Sequence, residues 1–312
     1  MRILVTGGTG FVGSWIVKSL EERGVEVVVC TRKTQRAGGS KFLTADLLRP
    51  AAVEEMLAQT KPDIVLHAAW CVDHGKFWNT PANLDWVTAT LRLLQAAKRH
   101  GVRRFVGVGT CFEYAWPTES DCKEATTPIQ PTSLYAVTKD ATRRMIEEYS
   151  AGNQLECAWG RLFYLFGPNE HPDRLASSVA IKLARNEPAP LSSGRAIRDF
   201  MDVRDAGAAL AALAVSSVVG AVNIGSGEAL RIVDLARALQ RAAGGAGQLN
   251  VGVLPDRANE PPRIVADVGR LHSEVGYHPS VSVRERLVET YFWWQQHFVN
   301  DMARSQDLSA RL

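Results

Sequence analysis

The sequence lacks several features that would settle its class at once. No apolar run is long enough to span a bilayer, and no basic tract stands out in a chain of formal net charge only +3. A membrane-embedded protein and a nucleic-acid partner are therefore not expected. Its five cysteines, Cys30, Cys71, Cys111, Cys122 and Cys157, are odd in number and irregularly spaced, with no C-x-x-C pair. Neither a disulfide framework nor a metal site is expected, and a reduced, cytoplasmic protein is the natural reading. Met1 to Val5 starts apolar, but a glycine turn interrupts it after a few residues. It reads as a first strand rather than a leader. The 312 residues, with 46% hydrophobic content, suit one large domain or two modest ones with a substantial core.

What is present is a glycine-rich turn, Thr6-Gly7-Gly8-Thr9-Gly10-Phe11-Val12-Gly13. It lies between the apolar run Arg2–Val5 and a segment in which Val12, Ile16 and Leu20 share a helical face. Such a turn lets the backbone approach a pyrophosphate, and the following helix offers free N–H groups and the positive end of its dipole. Gly8, Gly10 and Gly13 fit G-x-G-x-x-G, while Gly7, Gly10 and Gly13 fit G-x-x-G-x-x-G. Val25–Cys30 reads as a strand buried on both faces. Where an NAD site usually places an acid after this strand, the chain has Thr31, Arg32 and Lys33, with Arg36 close by. Cations attract a 2′-phosphate that an acid would repel, so NADP is favoured over NAD.

Phe42–Leu47 reads as a third strand. Asp46 at its end is placed either to reach an adenine amino group or to cap the helix beginning near Pro50. Asp63–Ala69 is the next strand, and the small residues Ala68 and Ala69 leave room for a dinucleotide. His67 there reads as a packed, hydrogen-bonded histidine. The aromatic-rich loop Trp70–Ala82 fits either a substrate pocket or packing on a neighbouring helix. Asn83–His100 reads as a helix stopped by Gly101. Val87, Leu91 and Leu94 mark its apolar face, and Trp86 with Thr90 a second stripe able to meet a partner subunit. Arg104–Val108 is a strand followed by Gly109-Thr110-Cys111-Phe112, and a long polar segment, Glu113–Ser133, is placed to cover a site. Further helices are read at Arg174–Arg185, Ile232–Ala242 and Val283–Phe298.

Ser133-Leu134-Tyr135-Ala136-Val137-Thr138-Lys139 then enters a helix. Tyr135 and Lys139 are four apart and share a face. A neighbouring ammonium stabilises a phenolate, and moving a phenol from its usual value near 10 to about 7 takes about 4 kcal/mol. A tyrosine so tuned exchanges a proton with an alcohol or ketone near neutral pH, with the Thr110 hydroxyl holding the same oxygen.

These residues resemble the extended short-chain dehydrogenase/reductase family, which includes nucleotide-sugar epimerases, 4,6-dehydratases and 4-ketoreductases. The matching pieces are Thr6–Gly13, Asp46-Leu47, His67-Ala68-Ala69, Asn83, Thr110, Tyr135–Lys139, Arg161, Gly167-Pro168, Arg198–Val203, Asn223–Gly227 and Ala266-Asp267. The resemblance implies an α/β fold, a Rossmann-like doubly wound parallel sheet with a smaller mixed α/β substrate-binding domain. Residues 1–166, rejoined by roughly 196–224, would hold the dinucleotide. Residues 167–195 and 225–312 would bind a nucleotide-diphosphate sugar. It also implies a catalytic set of Thr110, Tyr135 and Lys139, a cofactor site drawing on Gly7, Gly10, Phe11, Val12, Gly13, Thr31, Arg32, Lys33, Asp46, Leu47, Ala68, Ala69, Tyr135 and Lys139, and a homodimer built on the helices at Asn83–His100 and Tyr135–Tyr149. Arg198 corresponds to the arginine that clasps the substrate diphosphate, and Arg257 resembles a second.

Two departures narrow the chemistry. The acidic residues that dehydratases carry directly after the catalytic threonine are replaced by Cys111 and Phe112, with Glu113 one place too late, so dehydration is not expected. Tyr164 stands where an asparagine usually contacts substrate. NADPH-dependent reduction of a 4-keto-6-deoxyhexose at C4 is the favoured activity. A nucleotide-sugar 4-epimerase and a non-catalytic nucleotide-binding protein stay open as alternatives.

Overall fold

The computed structural model describes residues 1–32, 41–117, 119–258 and 260–309, with side chains as far as 297. In the first half, β1 (Arg2–Thr6), α1 (Gly13–Glu22), β2 (Glu26–Thr31), β3 (Lys41–Thr44), α2 (Pro50–Thr60), β4 (Ile64–His67), α3 (Ala82–Arg99) and β5 (Arg104–Thr110) alternate. A single 3-10 turn (Cys111–Glu113), a long loop, α4 (Leu134–Gly152), β6 (Glu156–Leu162) and β7 (Tyr164–Phe166) follow. The rest comprises α5 (Leu175–Ala184), β8 (Ala189–Leu191), β9 (Ile197–Asp202), α6 (Val203–Val215), β10 (Gly220–Ile224), β11 (Ala229–Arg231), α7 (Ile232–Ala242), β12 (Leu249–Val251), β13 (Arg263–Ile264), α8 (Gly269–Ser273) and α9 (Val283–Ser309).

Seven strands form one parallel sheet in the order β10-β6-β5-β4-β1-β2-β3. Its strands are apolar at nearly every position because both faces are covered. Ile3, Val5, Val27 and Val29 face α1 and α6, while Leu4, Val28, Val65 and Phe105 face α2, α3 and α4. This is the expected doubly wound architecture, and the strand order reverses between β1 and β4, where Thr6 pairs with His67. A ligand crevice opens at such a switch point. A second, mixed sheet, β11-β9-β13 with β7 on β9, and the pair β12-β8 accompany a separate apolar cluster under α5, α7 and α9. β9 belongs to this smaller sheet, whereas α6 packs on the large one and β10 extends its edge.

Several boundaries differ from the periodicity. β3 stops at Thr44 because Asp46 starts a turn, its carboxylate accepting from Leu48 N–H at 3.1 Å. β4 ends at His67, and α9 runs to Ser309, beyond the expected Phe298. The stripe on α3 is also turned inward. Thr90 is fully buried and bonds His67, and Trp86 lies against Trp70. Among the described residues, no helix is long and apolar enough to cross a membrane.

Candidate active site

The site begins with a glycine alternation in β5. Side chains that would rise from Gly107 and Gly109 are replaced by the indole of Trp159 on β6, which a Cβ would meet at 2.3 Å and 2.0 Å respectively. The flattened strand end places Thr110 at the sheet's C-terminal edge, where the 3-10 turn starts. Thr110 and Glu113 cap that turn reciprocally: the Thr110 hydroxyl accepts from Phe112 N–H at 3.3 Å, and Glu113 accepts from Thr110 N–H at 3.0 Å.

α4 starts at Ser133, whose hydroxyl accepts from Ala136 N–H at 3.2 Å. Its first turn is pinned to the aromatic loop, since Tyr135 N–H donates to the Trp78 carbonyl at 2.9 Å. Phe77 and Trp78 meet the Tyr135 ring edge-on at centroid distances of 4.8 Å and 6.0 Å. Asn83 holds that loop, accepting from Trp70 Nε1 at 2.8 Å and donating to the Phe77 carbonyl at 2.8 Å. The loop therefore packs on α3 and against the Tyr135 ring.

Tyr135 and Lys139 are both buried. Lys139 Nζ donates to the Val108 carbonyl at 2.9 Å and sits 3.8 Å from the Trp70 ring centroid. Here the electrostatics differ from the expected lowered phenol. Burial pushes the Tyr135 phenol up, and a hydrogen bond with Thr110 opposes it only in part. Lys139 is the group brought near neutrality, its ammonium lowered to about 7 by burial. The physical reason is dryness: removing water penalises both charged forms, and the lysine is spent on a carbonyl and an indole face.

At the switch point, Gly7 adopts φ +71° and its Cα abuts Ala69, whose N would lie 2.7 Å from an added Cβ. Gly13 is packed tighter still, with the Gly7 carbonyl oxygen 2.0 Å from where a Cβ would stand. The start of α1 carries no side-chain cap; Ser14 and Trp15 N–H already donate to the Gly10 and Val12 carbonyls at 3.0 Å and 3.1 Å, so an anion would be met by the helix dipole and the N–H groups just before them. Phe11 and Val12 are half-buried against the core beside it. Ala68 and Ala69 anchor to Thr6, through its carbonyl at 3.1 Å and its hydroxyl at 3.4 Å. This tight, uncapped, small-residue cradle fits a dinucleotide pyrophosphate.

The other expected cofactor residues divide. Thr31 is buried at the end of β2 and Arg32 is exposed beside it; Lys33 and Arg36 lie outside the described residues. Asp46 does not cap α2, whose N-cap is Arg49; its carboxylate holds the turn before that helix. The Leu47 side chain belongs to the core, so it offers a cofactor no side-chain contact. His67 is a satisfied packing residue, joined to Thr6 Oγ1 at 2.7 Å and Thr90 Oγ1 at 2.9 Å, and burial lowers it to about 3.

On the substrate side, the Arg198 guanidinium is buried and bonds Glu260 at 2.8 Å. It lies 5.6 Å from the Tyr164 ring centroid. Arg257 is exposed in the loop that also carries Glu260. A chain of rings runs from Tyr135 through Trp78 and Phe112 to Tyr164, with centroid steps of 6.0, 4.8 and 5.9 Å.

Sequence reasoning passed over Trp159 and took Glu113 only as an acid one place too late. Glu113 is fully buried beneath Thr110 and takes bonds from Trp159 Nε1 at 2.9 Å and Arg161 Nε at 2.7 Å. The signal that could have found it is the pairing of Gly107-x-Gly109 on one central strand with Trp159-x-Arg161 on another. An arginine inside an apolar strand demands a buried anion. Among the described residues, no group of three or more metal-ligating side chains occurs.

Comparison with known proteins places this geometry. The model of the NAD dependent epimerase/dehydratase family matches residues 3–225. GDP-L-fucose synthase 1 of Arabidopsis thaliana is 29% identical, over 96% of this chain and 94% of that protein. A dTDP-glucose 4,6-dehydratase of Streptomyces niveus is 27% identical, over 95% of this chain and 94% of the relative. The solved UDP-glucose 4-epimerase of Thermus thermophilus, in complex with NAD, superposes with a TM-score of 0.83 at 27% identity, covering 95% of this chain and 99% of that one.

Proposed function

This chain belongs to the NAD dependent epimerase/dehydratase family, and we propose that within it the chain is an NADP-dependent ketoreductase of a nucleotide-diphosphate sugar, acting at C4 of a 4-keto-6-deoxyhexose. Synthases, dehydratases and epimerases are comparably similar to it, so the choice against dehydration rests on the residues around Thr110, and the choice against epimerisation on the NADP preference read from Thr31, Arg32 and Lys33.

The observation that carries the choice is what occupies the two places after Thr110. Cys111 is buried and burial holds its thiol well above the usual range, so it stays protonated. Phe112 offers only a ring, packed on Trp78 and Trp116. Glu113, next in line, is turned away from the pocket onto Arg161 and Trp159. An acid–base pair for removing water has no side chain at these positions, whereas Thr110, Tyr135 and Lys139 supply what carbonyl reduction needs. The aromatic wall suits the apolar face of a deoxysugar better than a hydroxyl-rich one.

In this reading the glycine turn and the start of α1 hold the cofactor pyrophosphate, and Arg32 with Lys33 favours a 2′-phosphate. When bound there, a reduced nicotinamide would supply the hydride that the carbonyl carbon takes up. Tyr135, protonated in its dry pocket, is the acid that gives its proton to the carbonyl oxygen as negative charge develops there. Thr110 orients that oxygen with its hydroxyl. Lys139 brings positive charge beside the forming phenolate and a donor for the cofactor ribose. Arg198 and Arg257 would receive the substrate diphosphate, Arg198 by exchanging Glu260 for phosphate oxygen. A homodimer is part of the proposal. Leu84 on α3 and Val137 and Met145 on α4 leave apolar side chains exposed at 55%, 45% and 38%.

The test is stoichiometric. Purified protein incubated with NADPH and a nucleoside-diphosphate 4-keto-6-deoxyhexose should consume one NADPH per alcohol formed. Interconversion of two sugar nucleotides with no net change in nicotinamide absorbance would make the protein an epimerase instead. A monomeric mass by light scattering would remove the dimer.

A further inference from the structure

Glu113 has a place in the fold that its position in the sequence conceals. Its carboxylate is fully buried and joins three elements at one point. Oε1 accepts from Thr110 N–H at the end of β5 and from Trp159 Nε1 on β6, at 3.0 Å and 2.9 Å. Oε2 accepts from Arg161 Nε on β6 at 2.7 Å and lies 3.8 Å from Arg143 Nε, one turn beyond Lys139 on α4. The strand end Val108–Thr110 is thus held from two sides. Lys139 takes the Val108 carbonyl, Glu113 takes the Thr110 N–H, and the Gly109 Cα between them abuts the carboxylate. We propose that Glu113 is a positioning residue of the Thr110–Tyr135–Lys139 set, fixing the Thr110 hydroxyl and supplying the buried negative charge that balances Lys139.

Charge accounting supports this. Three titratable groups from packed elements face Lys139: Glu113 from the 3-10 turn, Cys71 from the loop after β4, and His67 from β4. Burial keeps His67 neutral, and it raises the Cys71 thiol so that it stays protonated near neutral pH. That leaves Glu113 as the anion acting on Lys139 among the described residues. Its field opposes the desolvation of Lys139 and also holds the Tyr135 phenol protonated. A neutral side chain at 113 therefore frees both groups to lose their protons at lower pH.

The proposal rests on the functional reading above for the identity of the catalytic set, but it can be tested without substrate. In protein carrying 13C-enriched lysine, the Cε resonance of Lys139 is assigned by its absence in Lys139→Met. Its titration midpoint is then followed in wild type and in Glu113→Gln. The charge-free variant should titrate lower by about one pH unit or more, and in assays with keto sugar the alkaline limb of the kcat profile should move the same way. Glu113→Gln leaves Arg161 unpaired, so Arg161→Met, which leaves the Glu113 carboxylate without that counter-charge, is measured beside it and should move the midpoint upward. An unchanged Lys139 midpoint in whichever variant folds overturns the proposal. A shifted midpoint in a protein that reduces no keto sugar supports the charge role and sinks the ketoreductase reading instead.

Discussion

Lys139 hangs from Val108: its Nζ donates to that carbonyl at 2.9 Å, with the Trp70 ring 3.8 Å away. It stands four positions along the helix from Tyr135, yet its charge is held by the sheet. Burial lowers it from 10.5 to about 7. Between those two values the unfolded chain keeps the proton and the native chain does not, so this site adds stability as pH rises through the window and costs most below 7. Lys139→Met should therefore raise the melting temperature at pH 6, and the gain should fade toward pH 10. The ceiling is about 5 kcal/mol, less the lost carbonyl bond. Unfolding of both proteins across that range checks this, and a pH-independent gap would contradict it.

Burial keeps the Tyr135 phenol protonated, with Thr110 as its hydrogen-bond partner, so the loss of its hydroxyl should be chemical rather than structural. Tyr135→Phe should lower kcat by about 100- to 10,000-fold, while NADPH affinity, read by nicotinamide fluorescence, stays within about threefold. Turnover near the wild-type level would remove Tyr135 from the chemistry.

Gly13 has no room for a methyl group, with the Gly7 carbonyl oxygen 2.0 Å from a built Cβ. Gly13→Ala should push α1 off the turn, destabilise the fold by about 1–3 kcal/mol and weaken nucleotide binding at least about tenfold. Calorimetric titration with NADPH and NADH would show it. Wild-type affinity for both would mean that the turn holds no dinucleotide.

His67 tests a residue expected to be silent in catalysis. Its native pKa, lowered to about 3 by burial, lies below the unfolded value near 6.5. As pH falls through 6.5 the unfolded chain gains a proton that the native chain refuses, so the wild type loses stability by up to about 1.4 kcal/mol per pH unit. His67→Asn removes that slope while leaving kcat within a fewfold of wild type. Urea melts at pH 4 to 7 compare the two, and equal slopes would place a charged imidazole in the native state.

Much of this molecule is readable from one dimension. Val25–Cys30 announces a strand covered on both faces, Asp63–Ala69 announces the strand that the structure ends at His67, and the glycine spacing announces the crevice between β1 and β4. Tyr135 and Lys139 declare their shared face by their spacing alone. These features are legible because they depend on local periodicity and on backbone geometry that only glycine permits. Asp46 and Thr90 were less legible. Whether a side chain caps, turns or points inward depends on which neighbour arrives, and for Thr90 that neighbour is His67, 23 residues earlier in the chain.

The order of residues alone establishes the strand–turn–helix cradle, the helical pair Tyr135 and Lys139, and the apolar substitutes at 111 and 112, since each follows from neighbours within a few positions. Folding in three dimensions settles the rest. Glu113 meets Arg161 across 48 residues, and Lys139 finds Val108 across 31. Arg198 reaches Glu260 across 62. The protonation of Tyr135 and Lys139 turns on the water excluded by Trp70, Trp78 and Trp159, side chains scattered along the chain. Exclusion of solvent is a property of the assembled volume, and no spacing rule encodes it.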